Sequence, residues 1–142
     1  VQIAEGDGDS PVWIEDLTIT GDADGGFGGA HAIRCARDGS RFYDVTVDQP
    51  GDAYRRCLSI DADDCIVAFG EFRSTHHPII NQGSGTAIVD VDAKAYNGSE
   101  AIKLYEADDI AIFDCTFYNG IENATDVDLD SLNIYDNAYP SA

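Results

Sequence analysis

The chain has 142 residues, 44% of them hydrophobic, with 27 acidic and 8 basic side chains and a formal net charge of −19. The hydrophobic share is enough for one domain with its own core and argues against intrinsic disorder. A field of that sign repels phosphate backbones and anionic lipid, which argues against nucleic-acid binding, and no apolar run is long enough for membrane insertion.

Asp outnumbers Glu, and lysine occurs only at Lys94 and Lys103. A dense carboxylate surface stays hydrated in high salt, which screens its self-repulsion. The composition is that of a halophilic protein or of an ordinary acidic secreted one. The chain contains no Met and opens abruptly on VQIAEGDGDSP, from which a processed or excised product is the expectation.

Residues 1–11 are expected to form an N-terminal extension or edge strand, and coils to occupy 12–139. Short alternating strands begin at Val12/Ile14 and Leu17/Ile19, then recur at Ile33/Cys35, Val45/Val47, Leu58/Ile60 and Cys65/Val67. They continue at Ile79/Ile80, Val89/Val91, Ile102/Leu104 and Ile110/Ile112, and end at Val127/Leu129 and Leu132/Ile134. Turn-forming stretches separate them: GDADGGFGG, ARDGS, QPGD, QGSG, YNGS and YNG. The clearest repeat pairs ADDIAIFDCTFYNG with DSLNIYDNAYPSA. Ile110, Ile112, Phe113, Asp114 and Phe117 return as Leu132, Ile134, Tyr135, Asp136 and Tyr139, each 22 positions later.

No segment keeps helical spacing for three turns. A period in the low twenties leaves a solenoid or a sandwich of hairpins, and hairpins would join equivalent strands through tight turns. Here each unit carries non-equivalent strands, and like returns to like one unit later. The pattern predicts an all-β parallel β-helix of about six coils with little or no helix, a single domain over 1–142. Each coil buries a stripe too small to be stable alone, and stacking makes it continuous. One core is predicted from Ile33, Val45, Leu58, Val67, Val89, Ile102, Ile110, Ile112, Val127 and Leu132.

The units DDIAIFDCTFYNG, with Cys115 where Asn often sits, and LNIYDNAY, with Asn137 at that position, resemble a known repeat. It is the right-handed parallel β-helix repeat of the pectate-lyase-like superfamily, and the likeness covers about residues 12 to 139. Such a signature implies a fold more than an activity. Asp63-Asp64-Cys65-Ile66 is similar to the acidic pair of the polygalacturonase branch, which implies an inverting acid and carboxylates that activate water. The Asn-Thr-Asp, Gly-His-Gly and basic motifs of that branch are absent, and Asp108-Asp109 repeats the doublet as a turn signature. The lyase branch implies calcium-binding carboxylates with an Arg or Lys base, for which Arg34, Arg37, Arg41, Arg55, Arg56 and Arg73 are available. The catalytic alternative is therefore Asp63, Asp64 and Arg73. Enzymes of the superfamily also carry more coils, a helical cap and long cleft loops, none of which this pattern contains beyond GDADGGFGG and STHHPIINQGSG.

Asp alternating with Gly offers oxygen ligands on a flexible loop, which suits calcium. Asp22 and Asp24 in GDADGG are the best such pair, although a chain this rich in Asp produces the spacing readily, as at Asp7/Asp9, Asp90/Asp92 and Asp126/Asp128/Asp130. His76 and His77 adjoin, and extended backbone sends adjacent side chains apart. With His31 isolated, a zinc site is not expected. Coils stack about 4.8 Å apart, and a disulfide needs Cα atoms within about 7 Å. Cys35 and Cys57, in consecutive coils, are the expected bridge. Cys65 and Cys115 are expected to be buried rung residues, or Cys115 to reach another subunit. Asn97 and Asn123 begin acceptor triplets for N-glycosylation.

Open solenoid ends expose unpaired strand edges, and head-to-tail pairing of copies does not close. The favoured reading is an extracellular or cell-surface structural solenoid that self-associates, as a surface or filament subunit. The alternative is a polysaccharide-processing or polysaccharide-binding β-helix, a lyase or glycoside hydrolase if an enzyme. In that case Trp13, Tyr43, Tyr96, Tyr118 and Tyr135 would form a sugar-stacking stripe.

Overall fold

The computed structural model describes residues 2–3, 10–21, 30–49, 55–105, 108–123 and 132–141. Along the chain run β1 (Gln2–Ile3), β2 (Trp13–Glu15), β3 (Thr18–Thr20), β4 (Ala30–Cys35), β5 (Arg41–Tyr43) and β6 (Thr46–Gln49). Next come β7 (Arg55–Ile60), β8 (Ile66–Ala68), β9 (Glu71–Ser74), β10 (Ile79–Asn81), β11 (Ala87–Val89) and β12 (Asp92–Ala95). The last are β13 (Ile102–Leu104), β14 (Ala111–Phe113), β15 (Thr116–Phe117), β16 (Ile121–Asn123) and β17 (Asn133–Tyr135). Every third strand pairs, always in parallel, so the chain winds through three sheets. Sheet A is β1-β4-β7-β10-β13-β16, sheet B is β2-β5-β8-β11-β14-β17, and sheet C is β3-β6-β9-β12-β15. The fold is an all-β parallel solenoid without helix among the described residues.

The 22-residue repeat is realised as direct stacking: Ala111, Ile112 and Phe113 lie in register against Asn133, Ile134 and Tyr135. The coil count differs from expectation, with about four turns rather than six. Four turns, from β4 to β15, have all three strands and a filled interior. The rungs outside them are partial, because β1 has two residues and the inward side chains of β2, β3 and β17 are only half-buried.

The interior consists of side-chain ladders. Ile33, Leu58, Ile79 and Ile102 stack in sheet A, and Phe42, Val67, Ile88 and Ile112 in sheet B, all buried. In sheet C, Val47, Phe72, Ala93 and Phe117 stack in register and are all buried, the rings separated by smaller side chains. Val45 and Ile110 are buried as predicted, and Leu132 packs half-buried against the core. Val127 lies outside the described residues.

Val89 corrects the prediction: it faces outward, between Ala68 and Phe113, and Ile88 and Val91 take the core positions. The cause is Asp90, whose φ is 51°. A left-handed residue ends sheet B in each coil, at Asp16, Asp44, Phe69, Asp90, Asp114 and Asp136, and adds one residue to the period-two alternation. Asp tolerates this conformation better than most residues because its short polar side chain bonds locally.

Candidate functional site

Among the described residues, the apolar ladders stay partly open at the two ends of the solenoid. Among the described residues, β2 and β3 pair only toward the interior, as do β17 and β16. Val12, Ile14, Leu17 and Ile19 at one end, and Ile121, Leu132 and Ile134 at the other, are apolar ladder positions left partly open. Their counterparts inside the four complete turns are buried.

A cluster of opposite charges sits on sheet A. Lys103 and Glu122 are cross-strand partners, and the Lys103 ammonium lies 2.8 Å from Glu122 Oε1. That hydrogen bond holds Glu122 below the usual carboxylate range and raises Lys103. Glu122 Oε2 lies 2.9 Å from Nε2 of His77, which is 3% exposed. His77 Nδ1 lies 2.9 Å from the backbone carbonyl of Glu100 and, since a carbonyl only accepts, donates to it. The Glu100 carboxylate completes a group whose ligand atoms all lie within 4.8 Å of one another. The rings of His76 and His77 do not point apart as expected but meet edge to face at 4.0 Å, because the pair occupies a bend rather than extended strand. Burial and the neighbouring His77 lower the His76 pKa. Sequence reasoning missed this site. Its signal was alignment: His77 and Glu100 each stand two residues before the sheet A strands that pair through Ile79 and Ile102.

The corner between sheets B and C carries a groove of about 410 Å³ lined by Thr46, Phe69, Glu71, Asp90, Asp92 and Asp114, among others. Arg73 of β9 pairs with two of these lining residues, Glu71 at 3.2 Å and Asp92 at 2.5 Å. Asp63 and Asp64 lie instead at the corner between sheets A and B. Asp63 N–H donates to Asp38 Oδ1 at 2.9 Å, and Asp63 Oδ1 accepts from Ser84 N–H at 2.8 Å. Asp64 is left-handed, with φ 55°. Both aspartates therefore shape a corner, and the fold does not bring them onto the sheet that carries Arg73.

The aromatic residues divide between two sheets. Trp13 and Tyr43 pair at 5.3 Å, and Phe113 stacks on Tyr135 at 5.1 Å, on the outer face of sheet B. Tyr96 and Tyr118 belong to the sheet C side. Tyr96 donates to Asp48 at 2.6 Å, and burial together with that bond pushes it up to about 12. Arg73 and Lys94 both lie over the Tyr118 ring. The five do not form one stripe.

All four cysteines are buried free thiols. The register corrects the expected Cys35–Cys57 bridge. Cys35 lies opposite Ile60, three residues beyond Cys57, or about 10 Å along the strand. Cys35 Sγ donates instead to the Arg37 carbonyl at 3.6 Å and Cys65 Sγ to the Asp63 carbonyl at 3.5 Å, and the interaction between these two thiols lowers Cys35 and raises Cys65. Burial pushes Cys57 up to about 12 and Cys115 to about 11. Asn97 is exposed in a turn, its Oδ1 accepting from Ser99 N–H at 2.9 Å. Asn123 closes β16, and the rest of its triplet lies outside the described residues, as do Asp22 and Asp24. Comparison with protein-family models, with curated proteins and with solved structures gave no match.

Proposed function

We propose that this chain is a non-catalytic structural solenoid of the cell exterior that associates end to end with copies of itself. The observation that carries the reading is the half-exposed apolar ladder at both ends, Ile14 and Leu17 at one and Leu132 and Ile134 at the other. Each ladder lies beside strand edges whose N–H and C=O groups point along the axis. Another coil is the one surface that satisfies both at once. The rungs also match in form: Trp13-Ile14-Glu15 and Asn133-Ile134-Tyr135 belong to the same sheet and are followed by the same left-handed corner. A last coil thus accepts a first coil in register, and because the contact is heterologous it propagates as a filament. Salt or a divalent cation relieves repulsion between the acidic ends, which makes assembly switchable. The corner motif supports placing the chain beside the right-handed pectate-lyase-like solenoids. Light scattering on Leu132→Lys/Ile134→Lys against wild type tests the proposal.

The groove between sheets B and C favours a second reading, polysaccharide binding. It gathers Glu71, Asp90, Asp92 and Asp114, with Phe69 exposed among its lining residues. Carboxylates that accept from hydroxyls beside an apolar ring suit a neutral sugar, whereas the negative field disfavours an anionic one. Retardation by neutral glucans in affinity electrophoresis, lost in Asp90→Asn/Asp114→Asn, would promote this reading over the first.

A further inference from the structure

We infer that His77, Glu100 and Glu122 form a binding site for one divalent first-row transition ion, with Zn²⁺ as its natural probe. The three residues come from three successive coils: His77 just before β10, Glu100 just before β13, and Glu122 within β16. Their ligand atoms, one nitrogen and two carboxylate oxygens, all lie within 4.8 Å of one another.

Three features distinguish this group from a chance meeting of surface charges. First, His77 is 3% exposed, so its ring is fixed by packing rather than by solvent. Second, its Nδ1–H is spent on the Glu100 backbone carbonyl at 2.9 Å, which leaves Nε2 facing the Glu122 carboxylate. A backbone carbonyl on the far nitrogen is the usual partner of a metal-ligating histidine, because it fixes tautomer and orientation. Third, the distance from Nε2 to Glu122 Oε2 is 2.9 Å. At zinc–ligand distances of about 2.0–2.1 Å, ligands at a right angle stand about 2.9 Å apart and tetrahedral ligands about 3.4 Å. The pair therefore accepts an ion with a shift of half an ångström or less. An imidazole with two carboxylates selects a borderline ion over Ca²⁺, which prefers six to eight oxygens.

Lys103 holds the other oxygen of Glu122 at 2.8 Å. It orients the carboxylate and offsets part of its charge, so the site binds its ion reversibly rather than as a permanent centre. An ion here would clip three coils together on the outside of sheet A. Binding to the folded state alone raises the melting temperature by mass action.

The test uses metal-stripped protein in molar NaCl, which screens diffuse binding to the acidic surface. Calorimetric titration with Zn²⁺ should give one equivalent and a raised melting temperature, and Co²⁺ should give visible bands of nitrogen–oxygen ligation. His77→Gln should weaken Zn²⁺ at least about tenfold, the lower end of the effect of disturbing such a site. Glu122→Gln also unpairs Lys103, so Glu100→Gln, which keeps the backbone carbonyl in place, serves as the second variant and should weaken binding similarly. Asp63→Asn, a carboxylate removed elsewhere, should leave binding unchanged. No saturable binding by wild type, or binding in His77→Gln and Glu100→Gln as tight as in wild type, would overturn the inference.

Discussion

Asp16 in the first coil and Asp136 in the last turn the same corner with the same backbone torsion, φ 54° in each. The two residues mark the ends of one column that runs the length of the solenoid, so both ends present the same coil geometry.

Phe69 is the member of that column that breaks the rule. It holds φ 58° while 56% exposed, so it bears the cost of a left-handed bulky residue with little burial in return. Left-handed geometry costs a side chain with a Cβ about 1–2 kcal/mol, less for Asn. Phe69→Asn should therefore stabilise the fold by about 1 kcal/mol in denaturant titration. Asp114→Val should destabilise it by a similar amount, and an unchanged midpoint in both would contradict the corner account.

The same column explains what the sequence disclosed and what it concealed. The stacking of Ile112 on Ile134 was legible because four apolar or aromatic positions and an Asp recur with one spacing. Val89 was misread because period-two alternation was carried across Asp90, where the left-handed residue inserts one extra position. Ser40, Asn81 and Thr86 are fully buried in the ladders, and hydrophobic pattern is silent about polar residues there. Asn81 is accommodated by donating to the Gly83 carbonyl at 2.8 Å. The His77 cluster was hidden for another reason. Its members lie a coil apart in sequence, and only the register of β10, β13 and β16 brings them together.

The thiols give a chemical test. Denatured, unreduced protein should titrate as four thiols; two would mean a bridge. Burial holds Cys57 and Cys115 protonated up to about 12 and about 11. The unfolded chain loses these protons first, near the ordinary thiol value of about 8.5. The folded state then binds more protons than the unfolded one, so stability falls as pH rises from about 8.5 toward those values. Melts of Cys57→Ala/Cys115→Ala should lose part of that alkaline slope, and a slope identical to wild type would refute the assignment.

Salt dependence follows from the net charge of −19. Self-repulsion among carboxylates is screened at a Debye length of about 3 Å in molar salt, against about 10 Å at 0.1 M. Thermal melts should therefore shift upward from low salt to molar NaCl. Coincident melts would remove electrostatic self-repulsion as a factor in this fold.

End-to-end association is tested most directly by sedimentation velocity of the wild-type chain over a wide concentration range, in molar NaCl with calcium. The Leu132→Lys/Ile134→Lys variant should run beside it, with circular dichroism verifying that the variant keeps its strands. The account predicts wild-type species that grow in steps of 15.3 kDa with concentration, and a variant held at the single step. A wild-type chain that stays at 15.3 kDa at the highest concentration would contradict it.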